Sequence, residues 1–114
     1  MSSCISVTTT TATKEEAQKI ARHLVEQRVA ACVQIAGPII STYRWKGKVE
    51  TATEWLCLIK TQESLYPELE KEIISLHSYE TPEIIAVPII KGSGEYLSWL
   101  KSETETINLT NQVQ

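Results

Sequence analysis

The sequence predicts an α+β fold of the split βαβ, or ferredoxin-like, type, in the order βαββαβ with a short C-terminal helix. Three observations carry that expectation. Two segments place apolar residues at helical spacing, Ala17, Ile20, Ala21, Leu24 and Val25 in the first and Leu65, Leu69, Ile73 and Leu76 in the second. Four others are short, β-branched and apolar, and flank those helices. The middle two are joined by a tight turn, which makes them an antiparallel hairpin. The sheet should be mostly antiparallel with the helices on one face.

Each element has its own signal. Residues 3–10, Ser-Cys-Ile-Ser-Val-Thr-Thr-Thr, read as the first strand. Thr13 precedes Glu16 by three positions, a capping box that opens the first helix. That helix runs to about Gln27 or Arg28, with Arg22 and Glu26 paired on its outer side. His23 falls off the apolar stripe and reads as a solvated surface residue. Ala30 to Ile35 begins a second strand. Gly37-Pro38 marks a bulge in it, and it resumes from Ile39 to Trp45. Lys46-Gly47-Lys48 is the turn, and the return strand covers Glu50 to Thr61.

On the return strand Trp55, Cys57 and Ile59 point one way, and Leu56 and Leu58 the other. Both faces are apolar, so one needs a cover beyond the chain's own helices, which a partner subunit would supply. Ser64 is the expected cap of the second helix, with Pro67 in its first turn. Glu83 to Ile90 is the last strand, and Pro88 confines it to a sheet edge or a bulge. Glu95 to Lys101 reads as the short third helix. Residues 103–114 form a tail or arm, and its last few residues are expected to lack order.

Composition narrows the function. One domain over residues 1–114 fits the length of 114 residues. The net charge is −3 and the basic residues do not cluster, which argues against nucleic-acid binding and against an anionic membrane surface. No apolar run approaches a membrane span, and the start of the chain lacks a signal-peptide pattern. A cytoplasmic protein is expected. Cys4, Cys32 and Cys57 are odd in number and widely spaced, which argues against a disulfide framework or a zinc knuckle, and Cys32 and Cys57, in apolar strand patterns, read as buried, reduced thiols.

The densest chemistry lies in His77-Ser78-Tyr79-Glu80-Thr81-Pro82-Glu83, between a helix and a strand. Together with Ala30 to Ile35, Tyr43 to Lys48, Glu54 to Thr61 and Tyr96 to Leu100, it resembles the CutA divalent-cation tolerance family, in order and in register. The resemblance covers about residues 6–101. It implies a homotrimer of ferredoxin-like subunits, similar to the trimeric PII signalling proteins. It also implies binding of copper or another divalent cation in at least some members. In a copper-binding relative a first-strand cysteine joins the histidine and glutamate of the HxYxxPE motif. That position is Thr9 here, and a hydroxyl is a poor ligand for soft Cu(I).

Two site readings stand side by side. In the first, His77 and Glu83 are metal ligands, completed by Glu80, a neighbouring subunit or water; imidazole and carboxylate suit Cu(II), Zn or Ni. Its plain alternative is that His77 interacts with the dipole of the preceding helix. In the second, Lys60, Tyr79 and Trp45, grouped with Thr9, form an intersubunit cleft for a small anionic ligand, with Glu83 orienting the lysine. Its alternative is that the aromatics pack and Lys60 forms a structural ion pair. Neither reading includes an organic cofactor. Nucleophilic catalysis would need a thiol or hydroxyl paired with a base, and Cys32 reads as buried and inert, so a non-enzyme is expected.

Overall fold

The computed structural model describes residues 2–104. A four-stranded antiparallel sheet has the order β2-β3-β1-β4. Its strands are β1 (Cys4–Thr11), β2 (Cys32–Trp45), β3 (Lys48–Gln62) and β4 (Ile85–Pro88). The helices are α1 (Lys14–Glu26), α2 (Tyr66–Leu76) and α3 (Gly94–Glu103), with one 3-10 turn at Glu63–Leu65. The split βαβ arrangement therefore holds.

The core forms between α1, α2 and the face of the sheet that carries Ile5, Val7, Cys57 and Ile59. Ala17, Ile20 and Leu24 of α1 and Leu69 and Ile73 of α2 meet them, all fully buried. Each such isoleucine, leucine or valine contributes roughly 1.5–3 kcal/mol by leaving water. Thr13 caps α1 by accepting a hydrogen bond from the Glu16 amide at 3.1 Å, as the capping box requires. Arg22 and Glu26 pair at 2.9 Å on the outer side of α1. The two long helices share one face, as expected. The third does not: α3 packs on the opposite face, where Leu100 meets Cys4 and Ala31.

The hairpin follows from its turn chemistry. Lys46 (φ 51°) and Gly47 (φ 83°) both take left-handed backbone, as a two-residue type I′ turn demands. The bulge lies where Gly37-Pro38 interrupts β2, between Ala36 and Ile39 in the ladder with β3. Gly37 is held to glycine by Trp55: a Cβ there would lie 2.7 Å from the indole Cδ1. Pro88 ends β4, which pairs with β1 alone at the sheet edge.

Several expectations are corrected. Ser64 does not cap α2. The 3-10 turn leads into the helix at Leu65 without a side-chain cap, and the Ser64 amide instead donates to Ser2 Oγ at 2.9 Å. The last strand is shorter than Glu83 to Ile90: its ladder joins Ile85–Pro88 to Ile5–Thr8 of β1, followed by one bond from the Ile89 amide to the Cys4 carbonyl at 3.0 Å. The second strand begins at Cys32, since the Ala30 amide still bonds to Leu24 at the end of α1. His23 is not simply solvated. Its Nε2 meets Glu72 Oε1 at 2.5 Å and ties α1 to α2. Cys32 is half-buried rather than buried. The expected arm over residues 103–114 lies outside the described residues beyond Thr104.

Candidate functional site

A cleft of about 680 Å³ opens between the hairpin and the 78–83 segment. Ser41, Thr42, Tyr43, Trp45 and Glu54 form the hairpin wall, Thr10 the floor, and Tyr79, Glu80 and Glu83 the opposite wall. Register explains the gathering. Thr10 pairs with Leu56, Glu54 with Ile39, Ser41 with Ala52 and Tyr43 with Glu50, so these side chains share the face turned away from α1 and α2.

The 77–83 segment is held by a network that reaches across the chain. The His77 side chain is fully buried. Its Nε2 donates to the Thr10 carbonyl at 2.8 Å, and its Nδ1 accepts from the Tyr79 amide at 3.1 Å. This pairing corresponds to the neutral ring protonated at Nε2. The Ser78 amide and hydroxyl donate to the two carboxylate oxygens of Glu16, at 2.8 and 3.0 Å. The Tyr79 hydroxyl donates to Glu54 Oε2 at 2.6 Å. Burial, followed by the Glu54 carboxylate, pushes the Tyr79 phenol well above its ordinary value, so it stays a donor.

The sequence candidates divide accordingly. Tyr79, Trp45, Glu80 and Glu83 come together at the cleft. His77 stands behind it, with both ring nitrogens occupied by backbone groups, so a lone pair reaches a metal only if this latch of two hydrogen bonds opens. Lys60 is elsewhere. It lies six residues further along β3 than Glu54, roughly 20 Å at strand rise, and its Nζ donates to Gln34 Oε1 at 2.8 Å. Thr9 is also elsewhere, on the helix-covered face opposite Cys57, fully buried, with a hydroxyl lacking a partner among the described residues. No group of three or more His, Cys, Asp or Glu placed to hold a metal occurs within the chain among the described residues.

Sequence reasoning missed Glu54 and Glu16. Glu54 is only 7% exposed and presents its carboxylate to the cleft. The available signal was a carboxylate on the same strand face as Leu56 and Leu58. Glu16 was read as half of a capping box, but its carboxylate instead holds Ser78, 62 residues away.

This fold and segment are those of a known group. The family model for the CutA1 divalent ion tolerance protein matches residues 5–103. The chain belongs to that family. It is 45% identical over 95 residues to the divalent-cation tolerance protein CutA of Thermus thermophilus, covering 83% of this chain and 92% of that one. It is 47% identical over 92 residues to human protein CutA, covering 81% of this chain and 51% of the human one. The chain thus spans about half the length of the human and mouse relatives it matches. The solved Thermus thermophilus structure superposes with a TM-score of 0.87 at 44% identity, over 89% of this chain and 98% of that one. CutA from Archaeoglobus fulgidus gives 0.87 at 40% identity, over 90% and 99%.

Proposed function

We propose that this protein works in metal tolerance as a homotrimer that binds a divalent cation, copper(II) included, at the acidic cleft. One observation carries the reading: Glu54, Glu80 and Glu83 line a single cleft that, among the described residues, no lysine or arginine lines. Carboxylates gathered without a counter-charge favour a cation. Glu80 and Glu83 are exposed and act as the ligands, with water or a neighbouring subunit completing the shell. His77 supports them by fixing the segment that carries both.

The trimer is part of the proposal. The hairpin carries Ile40 at 77% and Val49 at 65% exposure, the far edge of the sheet exposes Ile85 and Val87, and Ile90 is exposed just beyond it. Apolar surface spread this way suits burial against further copies of the chain. The free cysteines fit a reducing compartment such as the cytoplasm. No helix among the described residues is long and apolar enough to cross a membrane. The reading assigns no catalysis, and burial raises the Cys57 thiol to about 11, which keeps it protonated at neutral pH.

Calorimetric titration of Cu(II) and Zn(II) tests the reading. Saturable binding should weaken at least tenfold in the Glu80→Gln/Glu83→Gln double variant. Unchanged affinity in that variant refutes the site.

A further inference from the structure

The cleft is far larger than a bare ion needs. Its volume of about 680 Å³ lies within the roughly 300–1,000 Å³ range of small-molecule pockets. Its lining is also more specific than an acidic patch. Tyr43, Trp45 and Tyr79 contribute aromatic surface beside the carboxylates. Glu54, the most enclosed of the acids, bonds to Tyr79 through Oε2, while its Oε1 has no hydrogen-bond partner among the described residues. Nor does Glu54 join an ion pair there. No lysine or arginine lines the cleft among the described residues, so a cation entering it meets Glu54 without a competing positive charge on the walls.

From this we infer that the cleft takes an organic cation, an alkylammonium group, with Glu54 as its counter-ion and the aromatic side chains as its cage. The inference rests on the reading of the cleft as a cation site and names a ligand class for it. Aromatic faces attract ammonium groups within about 6 Å. Trp45 already does so locally, with Lys46 Nζ 5.6 Å from its ring centroid. Alkyl substituents on the nitrogen fill apolar volume that a hydrated metal ion leaves empty. Thr10 and Ser41, on the same strand face, add polar lining to the same space.

The test uses the full chain after treatment with EDTA and dialysis. Tetramethylammonium chloride, tert-butanol as a neutral match in shape, and sodium acetate are titrated by calorimetry. Tetramethylammonium should bind saturably, at least tenfold more tightly than tert-butanol, and acetate should give no binding. Glu54→Gln, which preserves an acceptor for the Tyr79 hydroxyl, should weaken tetramethylammonium about tenfold or more. Trp45→Leu, at the exposed end of the hairpin, should weaken it severalfold and serves if Glu54→Gln fails to fold. Equal binding of tert-butanol, absence of binding, or wild-type affinity in the folded variants overturns the inference. A neighbouring subunit's cation filling the cleft would appear as absence of binding. Copper binding lost in Glu80→Gln/Glu83→Gln without amine binding removes this inference alone. Amine binding in metal-free protein without copper binding removes the metal reading alone.

Discussion

Replacing His77 by alanine separates a latch from a ligand. The change removes the bond to the Thr10 carbonyl and the bond from the Tyr79 amide, at 2.8 and 3.1 Å. It also removes a ring packed 4.9 Å from that of Tyr79. Each hydrogen bond contributes about 0.5–1.5 kcal/mol, each buried group left unpaired costs about 1–3, and the aromatic contact adds about 0.5–1.5. These ranges overlap in part, and about 3–5 kcal/mol is the expected loss for metal-free protein. Urea unfolding at fixed protein concentration measures it, since assembly would couple stability to concentration. His77→Gln can donate to Thr10 and His77→Asn can accept from Tyr79, so each should recover about half. Hydrogen exchange of the Tyr79 amide should accelerate in His77→Ala and remain protected in His77→Asn. A loss below about 1 kcal/mol with unchanged Tyr79 protection refutes the latch.

Cys57 should resist thiol reagents in the native protein at neutral pH, because burial and then Glu16 raise its thiol from 9.0 to about 11. The sign follows from the raised value. Its contribution is complete below pH 9 and is lost as pH rises through 11, to a total of about 2–3 kcal/mol; an alkaline series of urea midpoints showing no decline across that window contradicts it. Gly37→Ala should cost about 1–3 kcal/mol through the clash with Trp55, and a wild-type midpoint would show that the indole yields freely. Light scattering at micromolar concentration should give three times the chain mass of 12.8 kDa, and a monomer mass would remove the trimer.

The parts of the fold written into neighbouring residues were legible. Pro88 lacks a ladder donor and lies on the edge strand. Gly37-Pro38 marks the bulge, and Lys46-Gly47 supplies the turn. The helical stripes named Ala17, Ile20, Leu24, Leu69 and Ile73, which meet the core, while Val25 of the first stripe is exposed. The site was legible only as a segment. His77 has the composition of a ligand, but its Nε2 partner is a backbone carbonyl 67 residues away, which no local pattern encodes. Lys60 and Tyr79 were grouped by chemistry in a cleft between subunits; within one chain the Lys60 ammonium instead donates to Gln34. Glu54 looked like an ordinary strand charge until the hairpin and the 78–83 segment closed around it. Ser64 had the right chemistry for a cap, but the 3-10 turn moved the helix start past it.

The most direct test of the central claim is anomalous diffraction at the copper edge from crystals of the protein soaked in Cu(II). A peak in the cleft within coordination distance of the Glu80 and Glu83 carboxylates, with His77 still bonded to Thr10, is the predicted result. A peak on a displaced His77 ring, or no peak in the cleft at saturating copper, would contradict it.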